Sequence, residues 1–107
     1  MKGFIDEKCD LCIMATQSYV IVLRPADKYG SPGTDERVDE HFGYLEKLLK
    51  NGILTMAGRF SEVLIGLVMI EAATRDEALD IMRSDPAVKS GVFHAELYPW
   101  RIALKAR

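Results

Sequence analysis

Two short segments, Tyr19 to Leu23 (YVIVL) and Ile65 to Ile70 (IGLVMI), constrain this chain more than any other feature. Both are predicted strands, rich in β-branched and apolar residues, and the first stops at Pro25. Neither alternates apolar with polar, as a strand with one wet face does. Both faces of the sheet they build are therefore apolar. Only two segments carry the pattern of an amphipathic helix. Asp35 to Lys50 puts Val38, Phe42, Leu45, Leu48 and Leu49 on one face, and a shorter segment runs from Thr74 to about Arg83. Two helices cover one face of a sheet. A second copy of the same sheet, related by a two-fold axis, is the simplest cover for the other; a lid formed by the N-terminal residues is the competing one.

The remaining elements complete a β-α-β-β-α-β order. Pro25 to Thr34 is a loop, Thr34 is placed to cap the first helix, and Asn51-Gly52 ends it. Ile53 to Ala57 is the second strand and Ile65 to Ala72 the third. Thr74 and Glu77 form a capping-box pattern, Ser84-Asp85-Pro86 breaks the second helix, and Val92 to Leu97 is the fourth strand. With right-handed crossovers this order gives an α+β, ferredoxin-like fold: a four-stranded antiparallel sheet with both helices on one side. The predicted domain is 18–107. Residues 1–17 read as a mobile or loosely docked extension, within which Met14 is an alternative start.

At 107 residues the chain holds one domain, and its formal net charge of −2 gives no electrostatic reason to expect nucleic acid or an acidic membrane as a partner. The longest apolar stretch, Val63 to Ile70 with Gly66 inside it, is far shorter than the ~20 residues of a membrane-spanning helix. Acidic residues stand where a secretory signal needs basic ones, so the expected compartment is the cytoplasm. Cys9 and Cys12 are the only cysteines. A lone C-x-x-C supplies half of a structural zinc site, so these thiols carry no predicted role. No glycine-rich phosphate loop suggests a nucleotide, and neither a cofactor nor a metal is expected.

Following the strands up and down brings Arg24, His41, Arg59, Asp85 and His94 to one rim. Imidazole changes protonation near neutral pH and serves as proton donor or acceptor. Asp85 is placed to orient His41 and stabilise its cation, while Arg24 and Arg59 could hold a carboxylate. Each residue also has a plainer explanation. His41 suits a half-buried bond at the helix–sheet boundary. Asp85 before Pro86 suits a cap on the backbone that follows, a role compatible with the first because a carboxylate has two oxygens. The arginines suit solvated strand ends, and His94, facing away from Phe93 and Ala95, suits packing at the sheet edge. His41, Asp85 and His94 together could bind a divalent metal, though nothing in their spacing demands it.

The run His41-Phe42-Gly43-Tyr44-Leu45 with Leu48, then Gly52-Ile53-Leu54 and Ala57-Gly58, resembles the first half of a YciI-like (YCII) domain. Gly66, Glu77-Ala78, Asp85-Pro86, Gly91 and Tyr98-Pro99-Trp100 resemble the second half. The resemblance covers about Tyr19 to Ile102. It implies a dimeric α+β barrel, a fold shared with muconolactone isomerases and chloromuconolactone dehalogenases, and an acid–base pair matching His41 and Asp85. The chain departs from the family's pattern at Arg59, where proline is frequent, and at Ala87, where an aromatic is frequent, so its pocket is expected to differ in shape.

The resulting expectation is a homodimer, or a higher oligomer of dimers, acting as a cofactor-independent enzyme of isomerase, lyase or dehalogenase type on a small carboxylate-bearing molecule. His41 and Asp85 would be its catalytic pair, and Arg24, Arg59 and His94 its substrate-binding residues. The alternatives are a non-catalytic dimer that binds a small ligand or a partner, and a cofactorless oxygenase.

Overall fold

The computed structural model describes residues 16–106. Cys9, Cys12, Met14 and nearly all of the 1–17 extension lie outside that range. The elements run β1 (Gln17–Pro25), α1 (Thr34–Lys50), β2 (Leu54–Arg59), β3 (Gly66–Ala72), α2 (Arg75–Arg83), α3 (Pro86–Lys89) and β4 (Phe93–Pro99). The strands form one sheet in the order β2-β3-β1-β4, with every neighbouring pair antiparallel. This is the expected α+β, ferredoxin-like arrangement. No helix among the described residues is long and apolar enough to cross a membrane.

Burial alternates along the strands even where composition does not. Tyr19, Ile21 and Leu23 of β1, Val68, Ile70 and Ala72 of β3, and Leu97 of β4 are buried beneath the helices and form the core with Leu48 and Met82. The residues between them face the other side: Val20 pairs with Met69 and Tyr98, and Val22 with Leu67 and Glu96. That outer face is apolar at its centre and only partly buried, with Tyr98 and Met56 exposed. β2 is an edge strand, interrupted by a bulge between Leu54 and Met56, and only Leu54 within it is buried.

The inward stripe of α1 is narrower than its apolar residues suggest. Val38, His41, Leu45 and Leu48 follow it, whereas Phe42 and Leu49 are rotated out and more than half exposed. The cap of α1 also differs from expectation. Gly33, at φ 95, is the N-cap, and Thr34 is the first helical residue. Its hydroxyl is engaged in the preceding loop, accepting from Gly30 N at 2.9 Å and donating to Ser31 O at 2.7 Å. Thr34 therefore has no free oxygen aimed at the first turn, and the loop is what it stabilises. At α2 the expected cap is present: Thr74 Oγ1 accepts from Glu77 N at 3.1 Å.

Asp85-Pro86 does more than break α2. It starts α3, one turn of helix with Asp85 as N-cap and proline at the first position, where its missing N–H removes no bond. Gly91, at φ 82, then returns the chain into β4. α1 packs over β2 and α3, and α2 over β3 and β4, so α3 lies beside the helix that carries His41.

Candidate functional site

His41 and Asp85 meet although 44 residues separate them, with Nδ1 of the imidazole 2.5 Å from Asp85 Oδ2. Each is only 5% exposed. The other carboxylate oxygen, Oδ1, accepts from Ala87 N at 2.9 Å. The two roles anticipated for Asp85, cap and orienting group, thus fall on its two oxygens. The cap fixes the carboxylate to α3, and the carboxylate fixes the ring of His41. Against an ionised Asp85, Nδ1 is the donor, and in the neutral imidazole this arrangement leaves the lone pair on Nε2. Among the described residues no hydrogen-bond partner reaches Nε2.

His41 lines a cavity of about 400 Å³ between α1 and the upper ends of the strands. Leu23, Gly66 and Val68 are part of the sheet that floors it, and Val38, Phe42 and Leu45 contribute from α1. Asp85 does not line it: the carboxylate stands behind the imidazole, sheltered from the space the ring faces. Phe93 meets the His41 ring edge-on, with centroids 5.2 Å apart, and Phe42 does so at 5.4 Å. Tyr29 stacks on Phe93 at 6.1 Å. Its loop is tied to the sheet by Ala26 N donating to Val92 O at 2.9 Å and Lys28 N to Gly91 O at 3.1 Å.

The two arginines are placed differently. Arg59 pairs with Gly66, which pairs in turn with Leu23, so Arg59 lies in the register row of the buried, helix-facing residues. Arg24 contributes to the lining from the end of β1, but it pairs with His94 in a row that faces the other side. Both arginines are exposed, and among the described residues no carboxylate pairs with either.

His94 is not brought to the cavity. Its side chain is 59% exposed and its Nε2 lies 3.5 Å from Glu96 Oε2. Strict alternation in β4 is the reason: Phe93 takes the inward position, so its neighbour points away. The same alternation removes His94 from any joint metal site with His41 and Asp85, and no three potential ligands gather among the described residues.

Tyr44, one turn beyond His41, donates to Ile81 O at 2.7 Å. Its burial, and then the negative charge of Asp85, push its phenol above the usual value near 10.0, against a smaller opposing effect of a hydrogen bond with Ser84. Tyr29, Phe93, Gly66 and Tyr44 were not singled out from sequence as parts of the site. Tyr29 sits in a loop without periodicity, and Phe93 reads as an ordinary strand residue.

The pattern of the YCII-related domain matches residues 18–101. The uncharacterised protein YjpA of Bacillus subtilis (strain 168) is 29% identical over 85 residues, spanning 79% of this chain and 95% of that protein. Among solved structures, the fold is similar to 5-chloro-2-hydroxyhydroquinone dehydrochlorinase (TftG) from Burkholderia phenoliruptrix AC1100, in complex with 2,5-dihydroxybenzoquinone. The TM-score is 0.57 and the identity 19%, over 79% of this chain and 95% of that one. Core strands, turn glycines and the Asp-Pro start of α3 all fall inside the matched span, and the chain belongs to the YCII-related domain family.

Proposed function

We propose that the protein is a cofactor-independent enzyme that moves a proton on a small anionic molecule, in an isomerisation or in an elimination of the lyase or dehalogenase kind. The observation that carries this reading is the buried Asp85–His41 pair with its imidazole facing a cavity. Asp85 selects the tautomer in which Nε2 is the base. Nε2 takes a proton from a carbon made acidic by an adjacent carbonyl, and the electron pair passes into the conjugated system. Return of the proton to a different carbon gives the isomer. Departure of halide instead gives elimination, after which His41 releases its proton to water. Asp85, already bonded to Nδ1, stabilises the imidazolium in between. Arg59, from the helix-facing row of the sheet, supplies positive charge for the substrate's anionic group, and Arg24 adds to it from the end of β1. The likeness to a dehydrochlorinase of the same fold supports elimination as one of these outcomes.

The acting form is proposed to be a cytoplasmic homodimer joined through the outer sheet face. Val20, Val22, Leu67 and Met69 form a partly buried apolar stripe there, extended by the exposed Met56 and Tyr98. Sedimentation at micromolar concentration should give twice the chain mass, and a stable monomer would remove the dimer from the proposal.

Catalysis is tested in deuterated water with a panel of unsaturated lactones, chlorinated hydroxyhydroquinones and small keto acids, read by proton NMR. Wild-type protein should incorporate deuterium next to a carbonyl, or release chloride, with at least one of them, and folded His41→Gln should not. Equal rates in both proteins, or no exchange with any compound, would sink the reading.

A further inference from the structure

The chain has four tyrosines, and three of their hydroxyls are tied to the protein. Tyr19 donates to Gln17 Oε1 at 3.2 Å, Tyr44 to Ile81 O at 2.7 Å and Tyr98 to Glu96 Oε1 at 3.1 Å. The Tyr29 hydroxyl has no hydrogen-bond partner among the described residues, and Tyr29 is the one tyrosine in the cavity wall. The other polar side chains lining the cavity are Arg24, His41 and Arg59. Two of these carry fixed positive charge, and the third presents a lone pair in the tautomer that Asp85 selects. The phenol of Tyr29 is the uncharged donor of the set.

Its mount is rigid on both sides. Ala26 N and Lys28 N tie the loop to Val92 O and Gly91 O, and Tyr29 N closes a turn on Ala26 O at 3.0 Å. Just beyond, Gly30 N donates to Thr34 Oγ1. The ring itself stacks on Phe93, whose ring also meets His41 edge-on. Backbone and stack together set the phenol in the wall that holds the imidazole.

Resting on the proton-transfer reading, we propose that the Tyr29 hydroxyl is the hydrogen-bond donor for the substrate oxygen that turns negative. When Nε2 of His41 removes the proton, the C–H electron pair shifts toward the neighbouring carbonyl and makes an enolate oxygen. The abstracted proton stays on Nε2 and the phenol keeps its own. The phenol O–H donates to the new oxyanion, and that bond strengthens as charge develops. A donor already fixed in place costs no reorganisation at that moment. The arginines are exposed side chains facing the substrate's standing charge, whereas the phenol is held by its loop and by Phe93.

Two small probes read this donor without turnover: 1,3-cyclohexanedione, an enolate at neutral pH, and cyclohexanone, its uncharged counterpart. In ligand-observed NMR titrations, Tyr29→Phe should weaken the enolate by about tenfold and the ketone by about threefold at most, because a hydrogen bond to a charged acceptor is the stronger one. The variant keeps the ring and its stack on Phe93, and its melting curve should match that of wild-type protein. With any compound that exchanges deuterium, Tyr29→Phe should lose about 10²-fold in kcat with KM little changed. Equal weakening of both probes, an unchanged enolate affinity, no binding of the enolate to wild-type protein, or a loss carried by KM overturns the assignment. Enolate binding that depends on Tyr29, in a protein that exchanges no deuterium, would end the proposed activity and uphold the oxyanion site.

Discussion

The two ends of the cavity are built on opposite plans. At the α3 end each group is held by another: α3 is capped by Asp85, Asp85 bonds His41, and the imidazole packs against Phe93 and Phe42. Both ionisable groups are buried. At the β2 end the strand lies at the edge of the sheet, its residues after Leu54 are exposed, and Arg59 extends from the last of them. A proton moves only across a short, fixed distance, so a base needs a rigid mount. Capturing an anion tolerates a long side chain in water. On the proposed reading, chemistry belongs to the buried end and recognition to the exposed one.

The largest expected effect comes from Asp85→Asn. The Asn carbonyl can still accept from Ala87 N, so the cap survives. The amide nitrogen then donates toward His41 Nδ1 and forces the imidazole proton onto Nε2, where the base should be. Exchange activity should fall by about 10³-fold or more, as when a triad aspartate is neutralised, with little change in melting temperature. Asp85→Ala loses the cap as well and leaves the buried histidine unpaired, destabilising the fold by about 3 kcal/mol. Full activity in Asp85→Asn would reduce the buried end to a structural corner and erase the contrast.

Gly66→Val separates the two ends without damaging either. Gly66 is not in the left-handed region, and an added Cβ would lie 3.5 Å from Gly58 O and 3.8 Å from Leu23 Cβ, ordinary contact distances. A β-branched residue suits a strand, so stability should hold or rise by about 0.5 kcal/mol. Its methyl groups enter the cavity that Gly66 and Leu23 line, and affinity for a ligand of the cavity should drop by about tenfold or more. Unchanged affinity in a folded Gly66→Val protein would show that ligands do not occupy this part of the cavity.

Element order, sheet membership and the meeting of His41 with Asp85 were legible because each rests on a short-range rule. β-branched runs, a Thr-x-x-Glu cap and an Asp-Pro start need only neighbouring residues to be recognised, and antiparallel strand directions carry distant residues to a common rim. What escaped depends on orientation. Phe42 and Leu49 count as apolar in a helical projection, but the stripe that buries is centred on His41 and Leu48; Leu49 is turned to the surface, and Phe42 reaches the cavity rim rather than the core. His94 reached the correct end of the sheet and the wrong face, one residue out of step with Phe93. Thr34 follows the capping preference, yet its hydroxyl satisfies the loop behind it. Tyr29 joined the cavity wall through contacts with Phe93, 64 positions away, which no local pattern encodes.

The smallest effect tests whether the buried end is as tightly set as the comparison requires. The Tyr44 phenol is raised above its ordinary value by burial and by the charge of Asp85, and its hydroxyl donates to Ile81 O. Because the folded-state value is the higher one, the neutral phenol's contribution to stability is fully present below about pH 10 and is lost as pH rises toward the folded-state value. Denaturation midpoints of wild-type protein should therefore fall as pH rises above about 10. Tyr44→Phe should start about 1 kcal/mol lower at neutral pH, from the lost hydrogen bond, and should decline less steeply over the alkaline range. Parallel curves for the two proteins would mean that the phenol is as well solvated folded as unfolded, and that the ground behind Asp85 is looser than the ring it orients.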